Sequence, residues 1–166
     1  MMSWLTHTRI SLLVGLLIGC SDRPEPAART AEPGPLFEAV VQAWDNHDFA
    51  AIDTLIDPLA IHEDLALGFR GDGRDEIKAF MRRTFEQIPD FEWRPTNILA
   101  DGPEVAAEWT LAGTYSGDTP QGPVKNRRFS IRGASVGVTE HGRIIRFTDY
   151  YNLAEFYRQV TSKAAK

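Results

Sequence analysis

Two hydrophobic periods divide this chain, and the switch between them limits its fold more than any other feature. Up to Ile88 apolar residues return every three or four positions, from Val105 to Tyr151 they alternate with polar ones, and Leu153 to about Val160 returns to helical spacing. Helices first, strands next and a terminal helix predict an α+β arrangement: helices laid on one face of a curved antiparallel sheet.

Leu36, Phe37, Val40, Val41 and Trp44 form the apolar face of a first helix, which Asp45-Asn46-His47-Asp48 breaks. A short second helix spans about Phe49 to Ile56 and stops before Pro58, because the residue preceding proline disfavours helical angles. "LAIHED" reads as a short extended piece and "GFRGDGR" as a turn-rich link. A third helix from about Arg74 presents Ile77, Phe80, Met81, Phe85 and Ile88 and closes at Pro89, with Asp72 and Asp75 placed to serve its free backbone donors. Strands are expected over Asn97 to Ala100, Val105 to Tyr115, Arg127 to Val138 and Arg143 to Tyr151. Asp101-Gly102, a loop over Gly117 to Asn126, and Glu140-His141-Gly142 separate them. Trp44 and Trp93 are expected between helix and sheet, and Arg132 on the outer face.

The last strand raises a chemical question. A period of two puts Ile145, Phe147, Asp149 and Tyr151 on one face and Ile144, Arg146, Thr148 and Tyr150 on the other, so a carboxylate shares an apolar face. Stripped of water there, a carboxylate becomes a stronger base, suited to removing a proton beside a carbonyl; the alternative is an acid at a wet strand end. His62 and Asp64 lie two apart and point the same way, as an oriented acid or base beside it or as a solvated strand edge. Trp109, Leu111 and Tyr115 share one face of the longest strand, as cavity wall or plain core. His47 and His141 fall in turns without ligand-like spacing, so no metal is expected. Gly68, Gly71 and Gly73 follow no strand and precede no Lys-Ser/Thr, so they make no phosphate loop, and Arg70-Gly71-Asp72 is a turn. No cofactor is implied.

The first twenty residues stand outside the fold. One basic residue, Arg9, precedes an apolar run from Ile10 to Ile18, the length of a signal-peptide core and too short to span a bilayer. The run ends in Leu17-Ile18-Gly19-Cys20, which resembles a bacterial lipobox, with the chain's single cysteine as the lipid-bearing residue. Residues 1–19 are thus expected to be a lipoprotein signal peptide, and residues 20–35, rich in proline, a tether. The globular domain is expected over residues 36–166, on a protein held to the bacterial cell envelope through Cys20. Its formal charge of minus five and scattered basic residues disfavour nucleic acid as a partner.

Three stretches together carry a family resemblance: "GRDEIKAFMRRTFEQIPDF" at 73–91, "AEWTLAGTYSG" at 107–117 and "GRIIRFTDYYNLAEFYRQ" at 142–159. In this order and spacing the chain resembles the SnoaL-like polyketide cyclases of the nuclear transport factor two-like superfamily. The resemblance implies a cone-shaped sheet closed by helices around an apolar pocket. Asp149 stands at the position of an acid or base in cyclase and limonene epoxide hydrolase relatives, and His62 and Asp64 in a stretch that supplies pocket polar groups. Two departures matter. Trp109 and Leu111 stand where the epoxide hydrolases carry arginine and aspartate, which disfavours epoxide hydrolysis. Gly113-Thr114-Tyr115 stands where many members have Gly-Thr-His, so a phenol replaces a proton carrier.

Three functions remain open at this point. The first is a cofactor-independent cyclase or isomerase acting on a small hydrophobic carbonyl compound, with Asp149 and His62 as acid/base groups and Asp64, Trp109, Leu111, Tyr115, Phe147 and Tyr151 around the substrate. The second is a carrier that binds a small hydrophobic molecule unchanged. The third is assembly, with two copies pairing as a homodimer through the outer sheet face.

Overall fold

The computed structural model describes residues 32–162, and the expected signal peptide, Cys20 and most of the tether lie outside them. Helix α1 (Pro33–Asp45) starts at the prolines, since Pro33 at the first helical position gives up a backbone donor that would have no partner there. It buries Leu36, Phe37, Val40, Val41, Ala43 and Trp44. Helix α2 (Phe49–Leu55) is capped by Asp48, whose carboxylate accepts the backbone N–H groups of Ala50 and Ala51. Then follow strand β1 (Ile56–Asp64), strand β2 (Phe69–Asp72), helix α3 (Arg74–Gln87), strands β3 (Glu92–Asp101), β4 (Glu104–Gly117), β5 (Val124–Glu140) and β6 (Arg143–Tyr151), and helix α4 (Leu153–Thr161).

The six strands form one sheet in the order β2-β1-β6-β5-β4-β3. It is mixed, not purely antiparallel, because β1 runs parallel to its neighbour β6. The reason is connectivity: β1 and β6 are far apart in the chain, so no hairpin ties them, and helix α3 and four strands lie between. The hairpins β3–β4, β4–β5 and β5–β6 are antiparallel as expected. Helix α1 packs on β3, α3 on β1 and β2, and α4 on β5.

Local corrections to the sequence reading have simple causes. Residues 69–72, expected in a link, form the edge strand β2 paired to β1 from Asp64↔Phe69 to Ile61↔Asp72. Asp72 does not cap α3: its carboxylate accepts from Arg70, and its own N–H donates to Glu76. Strand β3 begins five residues before Asn97 and holds Pro95, which an edge strand tolerates. Ile145 is a bulge, since Ile144 and Arg146 oppose the consecutive residues Thr139 and Val138. The bulge turns Ile144 into the core, fully buried, instead of Ile145. Beyond it, Phe147, Asp149 and Tyr151 keep the inward face.

Trp44 is the hub of the helix–sheet interface, with Phe80, Phe85, Phe91, Trp93 and His62 all between 5.9 and 6.2 Å from its ring centre. Trp93 also packs between α1 and the sheet, edge-on to Phe37 at 5.9 Å. At the other end Phe156 of α4 meets Phe129 and Tyr115 edge-on at 4.9 and 5.1 Å. Arg132 is exposed on the outer face. The expected turns at His47 and His141 take left-handed backbone angles.

Candidate functional site

The parallel pairing of β1 and β6 builds the site. Its register sets His62 beside Phe147 and Asp64 beside Asp149, and all four side chains fall on the face that the helices cover. The His62 ring stacks on Phe147 with centres 3.9 Å apart. From there its Nε2 reaches Asp149 Oδ2 at 2.8 Å. The partner is a carboxylate, so Nε2 is the donor. Nδ1 is buried without a hydrogen-bond partner, in a cage that includes Phe69, Phe80 and Trp44.

A residue that the sequence reading passed over completes the support of Asp149. Ser135 of β5, the register partner of Asp149, is wholly buried and donates its hydroxyl to Asp149 Oδ1. The Ser135 hydroxyl oxygen in turn accepts the indole N–H of Trp109 at 2.8 Å. Trp109 can lie across β5 because Gly133 has no side chain: a Cβ there would meet the indole at 2.2 Å. Asp149 is therefore gripped at both oxygens, by an imidazole and a hydroxyl, with its side chain 13% exposed. Ser135 was findable, since it shares parity on β5 with the apolar Phe129 and Ile131, but a small serine between glycines gives a weak signal.

Asp64 has a different environment. It is 5% exposed and accepts the Tyr151 hydroxyl at Oδ2 (3.0 Å) and the Leu67 N–H at Oδ1 (2.8 Å). Loss of water raises its affinity for a proton above the ordinary aspartate value; the Leu67 bond opposes this and the charge of Asp149 adds to it. Burial, followed by the Asp64 charge, pushes the Tyr151 phenol far above its usual range.

These groups face a cavity of about 130 Å³ beneath the helices. Six residues singled out from sequence line it: Asp64, Trp109, Leu111, Tyr115, Asp149 and Tyr151. His62 and Phe147 do not. His62 stands behind Asp149, 1% exposed, so its reach to a bound molecule runs through that carboxylate. Phe147 is buried beneath the imidazole. The remaining wall is mostly aromatic, with Trp44, Phe91, Trp93 and Phe156 among it, and Thr84 and Gln87 add polar groups from α3. Tyr115 turns its ring to the cavity while its hydroxyl donates to the Asp118 carbonyl at 2.7 Å. Among the described residues no group of three or more potential ligands gathers for a metal.

A sheet of this order with helices over one face and an acid-bearing cavity between them defines the nuclear transport factor two-like class. The family model for SnoaL-like polyketide cyclase matches residues 36–160, and the chain belongs to that family. No curated protein matches it in sequence. Among solved structures it is similar to TsrD from Streptomyces laurentii, at 22% identity over 78% of this chain and 94% of that one with a TM-score of 0.67. IdmH from Streptomyces antibioticus shares 20% identity over 78% and 99% of the two chains, with a TM-score of 0.69. A Pseudomonas putida KT2440 protein provisionally described as a polyketide cyclase shares 27% over 78% and 98%, with a TM-score of 0.67.

Proposed function

We propose that this protein is a cofactor-independent cyclase or isomerase that acts on a small hydrophobic carbonyl compound, with Asp149 as the acid/base group. The observation that carries the reading is the cavity-facing Asp149 carboxylate, fixed by His62 and Ser135 within an apolar wall. Such a wall binds an apolar ligand, while the few polar groups orient it. The two donors leave lone pairs on Asp149 free to receive a proton.

In the step this supports, Asp149 takes a proton from the carbon next to a carbonyl. The C–H electron pair becomes the carbon–carbon double bond of an enolate, and the carbonyl π pair moves to oxygen. Returning the proton to another carbon of the conjugated system yields an isomer. Alternatively, the enolate carbon attacks a second carbonyl of the same molecule, a ring closes, and the new alkoxide takes the proton back from Asp149. A cavity of about 130 Å³ is of the order of the roughly 150 Å³ void that accepts benzene, which favours one- or two-ring compounds over larger ones.

The test is a panel of one- and two-ring carbonyl compounds, with affinity and turnover measured on the full chain and on Asp149→Asn. The reading expects affinity within a few-fold and turnover lost. Equal turnover by the variant overturns the catalytic role. Binding of the panel without conversion by either protein would favour the carrier reading, which the Tyr115 hydroxyl, tied to Asp118 in place of a proton-carrying histidine, also supports.

The envelope location is a separate part of the proposal and rests on the signal-like run Ile10 to Ile18 and the lipobox-like Leu17 to Cys20. Cys20→Ser should move the protein from the membrane fraction to the soluble periplasmic fraction. Persistence in the membrane fraction would contradict anchoring through Cys20.

A further inference from the structure

Two aspartates enter one cavity from adjacent strands in register, and no lysine or arginine among the described residues lines its wall. Asp64 and Asp149 are direct partners across β1 and β6. Strands that pair lie about 4.8 Å apart. Two ionised carboxyls on such neighbouring strands, with little water between them, repel each other. Their hydrogen bonds divide them. Asp149 meets an imidazole and a serine hydroxyl that point hydrogens at it, whereas Asp64 shares Oδ2 with a phenol, itself able to donate or accept.

Counting hydrogens fixes what the Asp64–Tyr151 pair can offer. With Asp64 ionised, the pair holds one hydrogen, that of the phenol, and the 3.0 Å bond to Oδ2 consumes it. With Asp64 protonated, the pair holds two, so one closes the pair and the other points outward. Leu67 satisfies Oδ1 through its N–H in either case. Both side chains line the cavity, so the outward hydrogen faces whatever occupies it.

We propose that Asp64, in its acid form, and Tyr151 donate a hydrogen bond to the oxygen of a bound carbonyl compound whose adjoining carbon faces Asp149. This rests on the acid/base reading of Asp149 and narrows the substrate class: the reacting C–H must sit directly beside the oxygen, as in a ketone or a 1,3-dicarbonyl compound. A carbonyl oxygen and its neighbouring carbon are close enough to be served by heads from adjacent strands. As negative charge grows on the oxygen, the donated bond strengthens, so the pair favours the enolate over the bound ketone. No proton transfer from Asp64 is required.

The groups facing Asp64 are Asp149 and Tyr151 on β6 and His62 on β1, with Tyr157 of α4 beside Tyr151. Burial, the largest effect, and the Asp149 charge favour the protonated form of Asp64 and outweigh the opposing Leu67 and Tyr151 hydrogen bonds and the His62 charge.

Carboxyl-carbon nuclear magnetic resonance on the full chain with labelled aspartate tests this without any turnover. The Asp64 signal is identified by its loss in Asp64→Asn. We expect it to report a protonated carboxyl at pH 7 when 4-nitrophenol, a planar mimic of an enol, is bound. An ionised Asp64 in that complex would overturn the inference while leaving Asp149 as base untouched. As a second readout, Asp64→Asn keeps an N–H donor and should bind 4-nitrophenol within about threefold of wild type, whereas Asp64→Leu should lose about tenfold or more. Should Asp64→Leu fail to fold, the resonance measurement decides alone. Failure of the Asp149 reading has a different signature: turnover by Asp149→Asn equal to that of wild type.

Discussion

Asp149 and Ser135 are register partners on β6 and β5, and the buried serine hydroxyl joins the carboxylate of one strand to the indole of Trp109 on the next. A polar chain from wall to acid thus crosses three strands inside an apolar interior. Its position follows from the sheet: Trp109, Ser135 and Asp149 all occupy inward sites of adjoining strands. Its persistence follows from full pairing, because each member finds a partner inside a largely apolar interior.

Ser135→Ala should therefore cost more than a surface serine would. It leaves the Trp109 N–H buried without an acceptor and Asp149 with one donor fewer, a loss of about 1–3 kcal/mol. Urea unfolding checks this. A change below about 0.5 kcal/mol, the scale of ordinary surface substitutions, would show that the hydroxyl does not bridge the two side chains. Turnover should fall as well, since the carboxylate loses one of its two restraints.

Gly133→Ala tests the close approach of the indole. The added methyl would meet the Trp109 ring at 2.2 Å, and buried Trp109 has no space to retreat into except the cavity. The expected cost is about 1–3 kcal/mol, as for other overpacked cores, with altered tryptophan fluorescence and weakened ligand binding. An unchanged unfolding midpoint would contradict the placement of Trp109 over Gly133.

The pH dependence of stability should reveal Asp64. Its proton affinity is raised in the folded state, so between the unfolded aspartate value of about 3.9 and its own higher value, the folded chain holds more protons than the unfolded one. Stability contributed by this group falls as pH rises through that window. Asp64→Asn removes that contribution and should gain on wild type as pH increases from acid to neutral. On the acid side the sign reverses: Glu155, held down to about 2 chiefly by Arg158, supports the fold above the usual glutamate range and loses its effect as pH falls toward 2. Urea midpoints from pH 3 to 8 for both proteins measure the difference. A constant gap across the range would refute the role assigned to Asp64 burial.

Much of this was legible because the hydrophobic period is a direct record of which face is buried. The inward set Val105, Ala107, Trp109, Leu111 and Tyr115 could be read from alternation alone, as could the pairing of Phe147, Asp149 and Tyr151 on one face. Ile145 misled because a bulge adds a residue without changing composition. Strand β2 was hidden by Gly71 within it and by Gly68 and Gly73 on either side; Gly71 serves close packing and not a turn, since a Cβ there would strike the Phe69 ring at 2.9 Å. The parallel β1–β6 pair was not legible, since contacts between distant segments leave no local pattern. For the same reason the sequence could align His62 and Asp149 as candidates but could not show that one stands behind the other, out of the cavity.

The central claim is that Asp149 removes a carbon-bound proton from a ligand seated in the cavity. Its most direct measurement is the exchange of that hydrogen for deuterium in heavy water, followed by proton nuclear magnetic resonance on a cyclic 1,3-diketone with the full chain. The account predicts exchange well above the buffer rate with wild type and a return to the buffer rate with Asp149→Asn, while the diketone still binds. Exchange by Asp149→Asn at the wild-type rate would contradict it.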